Sequence, residues 1–210
     1  ITGSEGVFCA GGDLKSLSQA KRPVFKDRDR IRRLHIWFRE LVNLEKPVIA
    51  AVDGPAFGAG FNLALACDFV LATPRARFCA VFGRIGLVPD LGGFFLLPRI
   101  VGLQRAKDLV FSAREVDAEE ARDLGIVMRV VPPERLLDEA LAQAARYHDA
   151  STEALGIAKN ILNRSFNLDQ DTLAELEASA QALAIHTAYH DEAVANFLQK
   201  QPLRFPGVKK

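Results

Sequence analysis

Two glycine turns are the places where this sequence prepares for chemistry. In Phe8-Cys-Ala-Gly-Gly-Asp-Leu-Lys15 the pair Gly11 and Gly12 follows a short strand and precedes a helix start at Asp13. Backbone there can approach a ligand closely, and N–H groups beside a helix N-terminus can hold a carbonyl oxygen that gains negative charge during reaction. Taken by itself the passage is also readable as a tight turn with Asp13 as N-cap. Gly58-Ala59-Gly60 makes a second small-residue turn at a strand-to-helix junction, and two such turns together can form an oxyanion hole.

Other constellations do not assemble. The histidines at 35, 148, 186 and 190 include one i, i+4 pair, His186 and His190, with no third ligand in view, so packing or surface roles are read for them and no metal is expected. No Gly-x-Ser-x-Gly elbow or Walker loop occurs, and Gly58-Ala-Gly60 lacks the third glycine and downstream acid of a dinucleotide fingerprint. Asp53 and Asp68 read as a turn residue and a helix-end residue.

The elements that must carry the turns follow from periodicity. Ile31, Leu34, Trp37, Phe38, Leu41 and Val42 recur at helical spacing between about 27 and 43, and Pro47 closes that helix. The apolar, partly β-branched run from Pro47 to Val52 ends in Asp53-Gly54-Pro55, a buried strand delivered into a turn. Residues 62–67 suit a helix and 69–72 a strand, which completes a crossover unit. A glycine-rich loop from Gly83 to Gly93 then runs into Phe94-Phe-Leu-Leu97. Helices are expected over 103–112 and 118–124, a strand over 126–131, and a helix from Pro132-Pro133 to Arg146. Two further helices are expected over 152–163 and 172–200. Strands early and helices late predict an α/β core over 1–132 and a helical region over 133–210.

Composition limits the partners. With 210 residues, 49% hydrophobic and 25% charged, the chain has material for one sizeable core. Its 27 basic and 26 acidic side chains leave a net charge of +1, which draws it to neither nucleic acid nor an anionic membrane surface. The window Lys21 to Arg33 alone is biased, with seven basic residues against two aspartates. Cys9, Cys67 and Cys79 fit no disulfide framework or zinc spacing and read as reduced thiols, and no apolar run approaches the roughly 20 residues of a bilayer span. A cytoplasmic protein is expected. The opening Ile-Thr-Gly carries no basic n-region or apolar h-region of a signal peptide, and part of the N-terminal sequence is expected to be absent.

A linear series of motifs resembles the crotonase superfamily of enoyl-CoA hydratases and isomerases. It comprises Ile1-Thr-Gly, Phe8 to Lys15, Lys46-Pro-Val-Ile-Ala-Ala-Val-Asp-Gly-Pro-Ala-Phe-Gly-Ala-Gly60, Leu63-Ala-Leu-Ala-Cys-Asp68, Ile85-Gly-Leu-Val-Pro89 and Leu97-Pro-Arg-Ile-Val-Gly102. The resemblance implies the ClpP-like crotonase spiral of ββα units with a helical C-terminal region that takes part in forming trimers or hexamers. It implies acyl-CoA thioester substrates, no permanently bound cofactor, and coenzyme A present only as part of the substrate. By motif position the N–H groups of Gly12 and Ala59 would hold the thioester oxygen. Ala10, Gly11, Asp13, Leu14, Lys15, Gly58, Gly60, Phe82, Leu87 and Pro89 would line the substrate. Lys15, Lys21 and Arg22, with Lys209 and Lys210, are open candidates for the coenzyme A phosphates, although a solvated helix explains the first group as well.

The proton carriers depart from the hydratase pattern. Where a typical hydratase has two glutamates, this chain has Asn62 and Phe82, neither of which can shuttle a proton. Asp90, in Gly86-Leu-Val-Pro-Asp-Leu-Gly-Gly93, stands where some family isomerases and dehalogenases put a catalytic aspartate. That string resembles the ring-epoxide isomerases of phenylacetyl-CoA breakdown and related isomerases. Capping of the next helix is the other role open to Asp90. The expected function is therefore acyl-CoA isomerisation through an enolate, with apolar neighbours such as Phe82, Leu91 and Phe94 raising the pKa of Asp90. A thioester-binding protein without catalysis and a hydratase served by Asp90 alone are the competing readings. Phe25, Trp37, Phe57, Phe82 and Phe94 could line a pocket, with core the expectation for Trp37.

Overall fold

Runs of small and β-branched residues become strands where both faces are covered, as the computed structural model shows over its described residues, 1–15 and 23–207. Lys21, Arg22, Lys209 and Lys210 lie outside them. The strands β1 (Ile49–Val52), β2 (Pro55–Phe57), β3 (Phe69–Ala72) and β4 (Arg77–Cys79) form two adjacent pairs in sequence. One sheet takes β1 and β3 in parallel with β6 (Arg129–Val130); the other takes β2 parallel to β4, with β5 (Glu115–Asp117) antiparallel on its edge. Each pass of the chain thus gives one strand to each sheet. The first segment does the same without forming strands, since Thr2 bridges to Ala51 and Cys9 to Ala56, both in parallel. This is the repeating spiral expected from the motifs.

The corner between the sheets needs glycine. Gly54 has φ 70°, and a Cβ on it would run into the carbonyl oxygen of Gly6. Asp53 braces this corner: Oδ1 accepts from Thr73 Oγ1 at 2.6 Å and from Arg75 Nε at 3.1 Å. Burial alone would raise its pKa, but the bonds from Thr73 and Arg75 outweigh that and hold it below the ordinary value. The stabilisation is therefore present at pH values above about 4, where the unfolded carboxylate is ionised, and is lost as pH falls through the lower folded value. Asp53→Asn is expected to lower the urea midpoint at pH 7 and to cost progressively less as pH falls through the folded value of the Asp53 carboxyl.

The chain divides into two units, Ile1–Val42 with Val48–Ala142, and Asn43–Pro47 with Gln143–Lys210, compared with the boundary at 132 and 133 read from the sequence. In the first, Phe61 and Phe78 sit at the centre with ring centroids 5.7 Å apart, among Ala50, Val52, Leu65, Leu97, Leu109 and Val116. Helices α1 (Val24–Val42), α2 (Ala59–Leu65), α3 (Gly93–Val101), α4 (Leu103–Ser112) and α5 (Ala118–Asp123) surround it, and α6 (Leu136–Ala145) crosses the division. Cys67 and Cys79 are buried, Cys9 is half-buried, and all three are free thiols. In the second unit, α7 (Thr152–Leu162), α8 (Gln170–Ile185) and α9 (Ala188–Leu198) are capped by the side chains of Ser151, Asp169 and Thr187.

Four expectations are corrected. The helix read as continuous over 172–200 breaks at His186, because Thr187 Oγ1 accepts the His190 N–H and starts a new helix; His186 and His190 do not share one helical face. The strand read over 126–131 shortens to two residues. Trp37 is 42% exposed and Phe38, 3% exposed, takes the core position. Gly83 to Gly93 begins with a 3-10 turn and ends in α3, which carries Pro98 internally. Among the described residues no helix is long and apolar enough to cross a membrane.

Candidate active site

The two glycine turns meet because β2 receives the first segment as a neighbour. Cys9 N–H donates to the Pro55 carbonyl at 3.1 Å, and Phe57 N–H donates to the Cys9 carbonyl at 2.9 Å. Gly11, two residues on, turns at φ 97° so close to the second loop that a Cβ would lie 2.7 Å from Phe57 O and 3.6 Å from Ala59 N. Gly60 is pressed against Cys9, whose carbonyl oxygen a Cβ there would strike. Gly58 (φ 55°) precedes α2, and Asn62 N–H donates to its carbonyl at 3.1 Å to close the first turn. That leaves the Ala59 N–H, like that of Gly12, with no hydrogen-bond acceptor among the described residues. Gly12 is exposed and a Cβ on it would meet nothing within 4 Å. The pair thus offers two main-chain donors at an accessible surface.

The remaining lining residues divide by exposure. Gly58, Gly60, Phe82 and Pro89 are buried, and Ala59 and Gly11 are half-buried. Ala10, Asp13, Leu14, Lys15 and Leu87 are exposed. Asp13 uses its carboxylate to accept the Lys15 N–H at 2.9 Å, as an N-cap would. Phe82 approaches Gly58, its Cζ 3.7 Å from where a Cβ would stand.

Asp90 lies beside the second turn. Asn62, one helical turn after Ala59 and only 2% exposed, donates from Nδ2 to the Asp90 carbonyl oxygen at 2.8 Å. The capping role is excluded: α3 is capped at Gly92 with no side-chain bond, and Asp90 Oδ1 is buried without a partner among the described residues. Burial raises the Asp90 pKa above its ordinary value, with the charge of His35, the residue's own backbone N–H and the charge of Arg30 pulling it partly back. Leu91 is buried next to it, packed with Phe38 and Ala66, whereas Phe94 is 61% exposed and supplies no such burial, contrary to expectation. Phe25, 76% exposed, lines no enclosed space either.

Sequence reasoning missed the part of α1. Leu34 and Phe38 pack on Leu91 and Ala59, and the same helix brings His35 and Arg30 to face Asp90. The spacing of Arg30, Leu34 and Phe38 shows a helical stripe, but nothing in it says which loop it covers. Among the described residues no three His, Cys, Asp or Glu side chains are grouped as a metal set.

A profile of enoyl-CoA hydratases/isomerases matches residues 1–208. The chain belongs to this family. Its relatives include the 1,2-epoxyphenylacetyl-CoA isomerase of Escherichia coli K12, 37% identical over 209 residues that cover 99% of this chain and 80% of the relative. A probable enoyl-CoA hydratase of Rhizobium meliloti is 38% identical, covering 98% and 78%. Among solved structures, an enoyl-CoA hydratase/isomerase from Cupriavidus metallidurans CH34 superposes with TM-score 0.86 at 47% identity, covering 94% of this chain and 73% of that one. The enoyl-CoA hydratase/isomerase family acts on acyl-CoA thioesters, and these neighbours establish the crotonase fold for this chain.

Proposed function

We propose that this family member is an acyl-CoA isomerase of the enoyl-CoA or ring-epoxide type. The observation that carries the reading is the buried Oδ1 of Asp90, without a partner among the described residues, on a loop that Asn62 of α2 holds by its carbonyl, at a site where Asn62 and Phe82 bring no second carboxylate. The thioester oxygen would accept from the N–H groups of Gly12 and Ala59. Asp90 would take a proton from the carbon next to the carbonyl or from its vinylogous position, and the bonding electrons would flow into the carbonyl to give an enolate. As the carbonyl re-forms, the Asp90 carboxyl, whose proton exchanges with solvent while the enolate lasts, delivers a proton to a different carbon, and substrate and product have the same composition apart from that exchange. Ring opening of an epoxide uses the same enolate: as its electrons return, the carbon–oxygen bond breaks and the freed oxygen takes the proton held by Asp90, so that composition is again unchanged. The substrate brings the coenzyme A, and a trimer or pair of trimers is part of the proposal.

The test is a panel of 2-enoyl, 3-enoyl and ring-epoxide thioesters of coenzyme A in deuterated water, followed by ultraviolet absorbance and mass spectrometry. Gain of deuterium without the mass of a water is expected with at least one of them. Gain of one water across the double bond would replace the proposal with hydration. Saturable binding with neither exchange nor turnover would replace it with a binding role.

A further inference from the structure

We propose that Asn62 is a positioning residue, whose side-chain amide fixes the backbone of Asp90 so that the carboxylate faces the substrate. This rests on the proton-transfer role proposed for Asp90.

Two donors converge on one oxygen: Asn62 Nδ2 at 2.8 Å and the Gly93 N–H at 2.9 Å both reach the Asp90 carbonyl. Together they hold the peptide that follows Asp90, and with it the place of the Asp90 Cα from which the side chain departs. Of the carboxylate, Oδ1 has no partner among the described residues, while the Asp90 backbone N–H acts on the group from its own residue. Holding the backbone and leaving the side-chain oxygen without a donor is the arrangement a proton acceptor needs, because a donor on that oxygen would compete with the substrate proton.

The turn also needs to be held. Leu91, directly after Asp90, has φ 40°, in the left-handed region that a branched side chain avoids, and Gly92 follows at φ 76°. Such backbone persists only where its surroundings over-determine it. Packing of Leu91 with Phe38 and Ala66 holds one side, and the bond from Asn62 holds the other. Gly93 is shaped to admit the amide: a Cβ on it would lie 2.7 Å from Asn62 Nδ2, 3.0 Å from Asn62 Oδ1 and 3.0 Å from Pro89 Cβ. His35 and Arg30, which face the carboxylate from α1, act on its charge, whereas the donors to this carbonyl are Asn62 and Gly93. The buried amide of Asn62 is thus aimed from α2 at the loop that carries the acid–base group.

Asn62→Ala removes the donor, and Gly93→Ala displaces it with Asn62 in place. Turnover is read with the fastest thioester of the panel above, and affinity with the saturated thioester butyryl-CoA. Each variant is expected to lower kcat about 10- to 100-fold, the cost of misplacing a reacting group by roughly 1 Å, while the butyryl-CoA Kd changes less than about threefold. Asn62→Asp, equal in size but without the N–H, serves if Asn62→Ala does not fold. Asp90→Asn runs beside them. If it is inactive while the folded Asn62 and Gly93 variants keep kcat within threefold, positioning is overturned and the role of Asp90 stands. If it retains turnover, the role of Asp90 fails and this inference fails with it. Parallel loss of kcat, affinity and melting temperature would make Asn62 a purely structural residue and overturn the inference as well.

Discussion

Asp90→Asn is expected to abolish isomerisation and solvent-deuterium exchange, a loss of at least about 10²–10⁴ in kcat, the range contributed by one positioned acid–base group. Thioester affinity should survive, because the groups proposed to hold the carbonyl are main-chain donors that the substitution does not touch. The pH dependence gives an independent check. Burial holds the Asp90 carboxyl above its ordinary value, and only the ionised form can accept a proton. The rate of the parent protein should therefore fall as pH falls through a value above the ordinary one of an aspartate. Any residual activity of Asp90→Asn should lack that limb. Stability should move the other way. A carboxylate whose folded pKa is raised opposes folding at neutral pH, so Asp90→Asn is expected to melt no lower than the parent. Loss of activity with loss of stability would make Asp90 a structural residue; loss of activity alone fits an acid–base group maintained at a cost to the fold.

How much could be read from the sequence depended on whether a residue's role was local. The strands at 49–52 and 69–72 were legible as continuous apolar runs because both of their faces are covered. β5 was not legible: only Val116 is buried between exposed Glu115 and Asp117, and pairing with residues 77–79 is what makes it a strand. The break at His186 had a local signal in Thr187, but the apolar stripe on either side continued through it. The glycine turns could be found because glycine itself marks close backbone approach. Asn62 could be read as the absence of a carboxylate, but its bond to the Asp90 carbonyl belongs to the tertiary fold. His35 and Arg30 came from a helix far upstream, where they read as part of a charged surface.

Gly11→Ala is expected to lower kcat/KM about 10²- to 10³-fold, the usual cost of losing one donor from an oxyanion hole, although Gly11 itself donates nothing in the proposed mechanism. Two effects coincide at this residue. Its φ of 97° is strained for any residue with a Cβ, and the new methyl would lie 2.7 Å from the Phe57 carbonyl oxygen and 3.6 Å from Ala59 N. Both partners are backbone, so no side-chain rotation relieves the contact. Relief requires the first turn to move away from the second, which separates the N–H groups of Gly12 and Ala59. Gly102→Ala isolates the strain from the displacement. Gly102 has a comparable φ of 82°, but a Cβ there meets nothing within 4 Å. Both variants should lose more than about 0.4–1 kcal/mol of stability in urea, the scale of glycine-to-alanine effects where the backbone is unsuited to alanine. Only Gly11→Ala should lose activity. Equal losses of activity would mean that backbone strain anywhere in this unit suffices, and that the closeness of the two turns is not what builds the site.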